Sequence, residues 1–265
     1  MALIYNATFN SGTRMLSLLD KAGNVISSCE VPSKEVDDVT KPLTFRATQD
    51  GSTVKLVKYG SPSDAFQTSR DGGNTWADYT IDTVITLDTD NEVSFRAKAD
   101  RTSAQSRYDH FRFYMTGKIE AWHNVMSLYR TNDFATYKSV RIFAFYQLFE
   151  DCASLAKAPA LPATTIAAYC YNQMFFGCQS LTKAPELPAT TLANYCYGGM
   201  FSGCQSLKEV RISATKDASF ALVNWLNNVS ATGDFYCDPN ATIFPTDTSG
   251  IPRNWVRHDI ADYPN

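Results

Sequence analysis

From Phe149 to Thr215, apolar positions recur in a register that repeats every 26 residues. The segments FEDCASLAKAPALPATTIAAYCY, FFGCQSLTKAPELPATTLANYCY and FSGCQSLKEVRISAT begin at Phe149, Phe175 and Phe201. Cys152, Cys178 and Cys204 keep the step, as do Leu155, Leu181 and Leu207, and Cys170 with Cys196. A fixed period of this length predicts a solenoid whose units bury their apolar faces against one another. Within a unit, Leu192, Tyr195, Cys196, Gly199 and Met200 fall at i, i+3, i+4, i+7 and i+8, which predicts one face of a helix. Thr190 stands where it caps the start of that helix, after Pro188, and Gly203 where it ends. The stretches SLAKA, SLTKA and SLKEV are too short and proline-limited for a second helix, and predict short strands paired in parallel.

Upstream the period changes to two. LTFRAT, STVKLV, WADYTI, TVITL and EVSFRAK alternate apolar and polar residues between Gly, Asp and Asn turns, which predicts a small antiparallel β-sandwich. From Arg14 to Glu30, RMLSLLDKAGNVISSCE places two apolar runs either side of a turn at Asp20 to Asn24, a β-hairpin pattern. A hairpin of that size is not stable alone in water. Met15, Leu16, Leu18, Val25 and Ile26 are therefore candidate anchor or oligomer contacts, packing on the next domain or on another chain. The polar stretch SKEVDDVTK from Ser33 to Lys41 ends at Pro42 as a linker does.

Composition narrows the function. The 265 residues carry 24 basic and 27 acidic side chains, a net charge of −3, with no run of like charge. A nucleic-acid partner needs a basic face to meet phosphates, so that class is not expected. No apolar stretch approaches the roughly 18 to 20 residues that span a bilayer, so no membrane insertion is expected. The start, MALIYNATFNSGTR, lacks the basic segment and apolar run of a secretory signal. The expectation is a chain that is not exported by the usual route, the alternative being a signal already removed. Of the seven cysteines, Cys29, Cys152, Cys170, Cys178, Cys196, Cys204 and Cys237, five sit at repeat-equivalent places and form a linear ladder with no metal-ligand cluster, so buried free thiols are expected, and neither a metal nor another cofactor. His110, His123 and His258 sit near no nucleophile motif, and the pairs Asp37-Asp38 and Glu150-Asp151 read as solvated charge. No enzyme is expected. Ser69 to Trp76 fits the S-x-D-x-G-x-T-W box of sialidase propellers, and one copy predicts a hairpin turn in which Asp71 bonds local backbone. A glycan-acting enzyme is the weaker alternative.

The phrases MFFGCQSLTKAPELPATTLANYCYGGMFSGCQSL and NWLNNVSATGDFYCDPNATIFPTDTSGIPRNWV resemble the BspA-like leucine-rich-repeat proteins of gut anaerobic bacteria and their phages. The resemblance reaches back through TGKIEAWHNVMSL, where such proteins carry a shorter G-N-I-M-S-L phrase, to PLTFRATQDGSTVKL and QTSRDGGNTWADYTI, and covers about four fifths of the chain. It implies an α+β protein: an N-terminal β segment (1–40), a small Ig-like β-sandwich (41–117) and a short leucine-rich-repeat solenoid with a C-terminal cap (118–265). Trp225, Trp255 and Ile251 are expected to cover the last coil, since terminal repeats must shield the open end.

The function this implies is a phage virion structural protein, a head fibre or capsid decoration, and a bacterial surface or secreted adhesin is the alternative. Capsid proteins would bind the N-terminal segment, a host-surface protein or glycan the repeats, and the chain would act as a homodimer or trimer. The aligned strand positions Lys157, Lys183 and Glu209, with Thr182 and Lys208, are the candidate binding stripe. Tyr169, Tyr171, Tyr195 and Tyr197 flank the cysteines, with half expected in the core and half on the outer surface.

Overall fold

The computed structural model describes residues 6–10, 15–30, 37–101, 105–247 and 249–263. The chain divides into two units, residues 1–36 and 37–265.

The first unit is a three-stranded antiparallel sheet of β1 (Asn6–Asn10), β2 (Met15–Leu19) and β3 (Val25–Glu30). The expected hairpin is β2 and β3, and β1 adds a strand on the far side of β2. Its turn closes on Asp20, whose carboxylate accepts from the Asn24 amide at 2.9 Å. Val25 and Ile26 are exposed. The side chains of Met15, Leu16, Leu18 and Cys29 lie outside those described.

The second unit begins with two sheets packed face to face. One has β10 (His110–Thr116), β5 (Ser52–Tyr59) and β8 (Ile85–Leu87) in that order. The other runs β12 (Leu155–Lys157), β11 (Ile119–Trp122), β4 (Thr44–Ala47), β9 (Glu92–Ala97), β6 (Phe66–Ser69) and β7 (Ala77–Tyr79). Phe45, Phe95 and Phe113 meet edge to face between them, with centroids 4.7 to 5.6 Å apart. The expected division at 117/118 falls between strands of one hydrogen-bonded body. Strand β11 pairs antiparallel with β4 of the sandwich and parallel with β12 of the first repeat. One apolar cluster runs from Leu43 to Trp255.

The chain is β-rich, and the expected helix is absent. The only helices among the described residues are 3-10 turns at Val125–Leu128 and Ile260–Asp262. Where a helix was expected, the amides alternate in use. Met174 and Cys178 donate to the carbonyls three residues back, while Phe175 and Gly177 donate sideways to Met200 and Ser202 in the next repeat, at 2.9 and 2.8 Å. An α-helix spends every interior N–H within itself, so this pattern excludes one. Every fourth residue also has positive φ, at 169, 173 and 177 and again at 195, 199 and 203. A left-handed non-glycine residue costs about 1–2 kcal/mol, and here the bonds to the neighbouring repeat offset it. Of the three expected strands, SLAKA supplies β12 and SLKEV supplies β13 (Glu209–Arg211), while SLTKA is joined by single bonds such as Lys208 N–H to Thr182 O.

Strand β10 completes the stack from below. The Phe113 amide donates to Leu148 O as Phe149 does to Met174 O and Phe175 to Met200 O. The thiols of Cys152, Cys178 and Cys204 donate in turn to the carbonyls of Phe113, Phe149 and Phe175, at 3.0 to 3.1 Å. At Phe113 the sandwich thus offers the first repeat the amide, carbonyl and ring contacts that Phe149 and Phe175 offer the repeats after them. At the far end β14 (Gly233–Cys237) and β15 (Trp255–Asp259) prolong the parallel ladder from β13. Trp225, Trp255 and Ile251 are all buried there, and the Trp225 indole donates to Gly250 O at 2.9 Å.

A column of Phe145, Tyr171 and Tyr197 stacks through the core, but the Tyr171 hydroxyl is buried without a partner. Burying an unpaired hydroxyl costs about 1–3 kcal/mol. The Tyr171→Phe variant is therefore expected to melt about 2–4 °C higher by calorimetry. An unchanged or lower melting temperature would mean that a water satisfies this hydroxyl.

Candidate functional site

The strand face of the repeats carries the predicted stripe, and the structure divides it in two. At the sandwich end, the Lys157 ammonium sits 3.7 Å from the Trp122 ring centroid and pairs with Asp37 at 2.7 Å. Arg46 lies over the same indole at 5.2 Å and pairs with Glu92. At the other end Lys183 pairs with Glu209 at 2.8 Å, and Glu209 also accepts from the Tyr263 hydroxyl at 2.7 Å. Lys183 and Arg211 both lie against the Tyr263 ring, at 4.8 and 4.6 Å, and Arg211 pairs with Glu186. Tyr236 stacks on His258, whose Nε2 meets Asp234 at 2.7 Å.

Of the five predicted residues, Lys157, Lys183 and Glu209 are thus engaged within the protein. Thr182 and Lys208 are exposed and linked through the backbone. The residues that shape this face but were not predicted are Trp122, Asp37, Arg211, Tyr236 and Tyr263. Asp37 lies 120 residues from its partner Lys157, so no local pattern announces the pair. Tyr263 reaches the stripe because β15 and the 3-10 turn after it bring the chain back beneath Glu209.

The outer face, made by the turns, is aromatic. Phe143, Tyr169, Tyr195 and Phe220 stack in one column, with centroids 4.8 to 5.1 Å apart and planes within 17°. All four have positive φ. Tyr171 and Tyr197 turn into the core, as expected for half of the tyrosines.

The other motifs resolve locally. Asp71 accepts from Ser69 Oγ at 2.6 Å and from the Thr75 hydroxyl and amide at 2.6 and 2.9 Å, and the Trp76 indole donates to Gly73 O at 2.9 Å. The box is a turn between β6 and β7 whose carboxylate is used by the turn itself. Those bonds, led by Ser69, hold the Asp71 carboxyl down at about 2, against 3.8 ordinarily. A depressed folded pKa adds stability above the unfolded value and loses it as pH falls through the folded one. The Asp71 carboxylate is expected to titrate near pH 2 by carbon-13 NMR, and a midpoint near 4 would show that these bonds do not hold in solution.

Cys152, Cys170, Cys178, Cys196, Cys204 and Cys237 are free and buried. Burial pushes the thiols of Cys152, Cys196 and Cys204 up to about 12, which makes them poor nucleophiles. Burial also lowers the pKa of His110 and His123. No group of three His, Cys, Asp or Glu side chains suited to a metal ion occurs among the described residues, and none of their helices is long and apolar enough to cross a membrane. No family model, curated protein or solved structure matches this chain.

Proposed function

We propose that this chain is a non-enzymatic structural protein of a phage virion, a head fibre or capsid decoration, that holds a leucine-rich-repeat solenoid outward as a binding module. The observation that carries the reading is the division of the chain into a small three-stranded sheet and one large body with a continuous core. The small unit suits attachment, because three short strands bury little by themselves and Val25 and Ile26 on β3 are exposed. The body suits display, because repeats stacked on a sandwich carry a regular column of side chains on their surface. The repeat phrases, which resemble BspA-like proteins of gut bacteria and their phages, support the same reading. Capsid proteins are the partners for the N-terminal unit, and a host-surface protein or glycan is the partner for the repeats. A homodimer or trimer joined through the N-terminal unit fits the symmetry of such appendages.

Mass spectrometry of purified particles and of bacterial envelope fractions from the same culture tests the assignment. The chain is expected in the particles, and recovery from envelopes alone would favour the adhesin instead. Co-sedimentation with capsids lacking the fibre tests the attachment. The full chain is expected to sediment and a chain beginning at Asp37 to stay in solution. Truncation at Asp37, not at Pro42, keeps the Asp37–Lys157 pair and the bond from the Asp38 amide to His123 Nδ1.

A further inference from the structure

The aromatic column on the outer face does not stand alone. Beyond Phe143 the ring contacts continue through Tyr146, edge to face at 5.4 Å, to His110 at 5.1 Å and on to Tyr59, stacked at 4.9 Å. Rings therefore run without a break from the sandwich to the last repeat. Within the column the faces cover one another, so Tyr169 and Tyr195 offer only their edges and hydroxyls. Neither hydroxyl has a hydrogen-bond partner among the described residues. Phe220 ends the stack with Tyr195 against one face, and the residue is 61% exposed.

Beside the rings runs a row of amides. Gln147 Nε2 donates to Gln173 Oε1 at 3.0 Å, which leaves the Gln173 Nε2 group as a free donor. The next place in that row is Gly199, where a Cβ would come within 3.2 Å of Gln173 Cγ. The Gln173 side chain therefore lies against the Gly199 backbone, where no further amide continues the row. The charges bordering the row, Glu150 and Asp151, are both held by Arg112, at 2.7 and 3.0 Å. The face thus offers apolar ring surface and neutral donors and acceptors, and the charges at its sandwich end are of both signs, two carboxylates about the single Arg112 and the exposed Arg107 near Tyr146.

We propose that this face binds a neutral linear polysaccharide. A sugar presents C–H groups on the faces of its ring and hydroxyls around the rim. One sugar ring would lie on the open face of Phe220, and the hydroxyls of those following would meet the Tyr195 and Tyr169 hydroxyls and the Gln173 amide. The Tyr195 and Tyr169 hydroxyls and the Gln173 amide beside Phe220 are uncharged partners, which suit a neutral polymer, and a folded protein would not follow a row one repeat wide. The inference takes from the proposed function only that the repeats bind a ligand.

Affinity electrophoresis of the full chain in gels containing dextran, yeast mannan, arabinoxylan or polygalacturonate tests it. Retardation by at least one neutral polymer is expected, with the association constant at least tenfold lower in Phe220→Ala and reduced in Gln173→Ala and Tyr195→Phe. Lys118→Ala, an exposed residue between β10 and β11 of the sandwich, is expected to bind as the parent does. Thermal melts of the same variants exclude loss of fold, since Phe220 is an exposed ring and Tyr195→Phe keeps the stack. Retardation by none of the neutral polymers, by polygalacturonate alone, or equally in Phe220→Ala would overturn the proposal. A chain that is absent from particles yet retarded by a neutral polymer would leave this face standing and the virion assignment fallen.

Discussion

Replacing Phe175 by Ala is expected to destabilise the body of the protein by about 3–5 kcal/mol. Phe175 is fully buried and lies between Phe149 and Phe201, with centroids 5.4 and 5.6 Å away and planes within 5°. Its truncation opens a cavity in the middle of a column that starts at Phe113 of the sandwich, and the loss of two stacking contacts adds to the transfer cost. Because the core is continuous across sandwich and repeats, the whole body should lose stability in one transition. Urea denaturation followed by tryptophan fluorescence and by far-ultraviolet circular dichroism measures both points. A loss below about 1 kcal/mol, or two transitions of which only one moves, would show that the stack is not continuous with the sandwich.

The Asp64→Ala variant should be nearly as damaging for a different reason. Arg101 is only 4% exposed. Its Nε lies 3.2 Å from Asp64 Oδ2, its Nη1 donates to Leu128 O at 3.4 Å, and its Nη2 has no partner. Burial pulls the Arg101 pKa down, and Asp64 is the main influence holding it up. Removing one partner of a buried ion pair leaves an uncompensated charge and costs about 3–5 kcal/mol. The double variant Asp64→Ala with Arg101→Met should recover most of that loss, since apolar replacement of a buried pair is often neutral or stabilising. If the double variant were no more stable than the single one, the damage would come from lost packing around residue 64 and not from the stranded guanidinium.

The strands of the sandwich were legible because burial on one face imposes a period of two, and LTFRAT, STVKLV and EVSFRAK became β4, β5 and β9. The repeat spacing was legible too, since Cys152, Cys178 and Cys204 occupy equivalent places in three consecutive repeats. The misread element was the one following each LPATT. A four-residue turn period and a helical period of 3.6 place apolar residues alike over eight or nine positions, so Leu192 to Met200 satisfied both. Only the destination of the backbone amides separates them, and it depends on a neighbour 25 residues away. The joint at Phe113 was hidden because it stands 36 residues before Phe149, outside the 26-residue step. The 26-residue step brought out Lys157, Lys183 and Glu209 on the strands, but the ion pairs that occupy Lys157 and Lys183 come from Asp37 and Glu209 through the fold. The outer column could have been read, as Phe143 precedes Tyr169 by the same step that separates Tyr169 from Tyr195.

The likeness between β10 and a repeat bears on how such a chain changes length. The sandwich is a template that fixes the phase of everything built upon it, much as a seed face fixes a crystal. Adding or removing one whole 26-residue unit leaves every remaining interface with the partner it already accepts, whereas a change of any other size puts Phe, Cys and turn residues out of step at once. Length is thus free to vary in steps of one repeat while the sandwich stays unchanged.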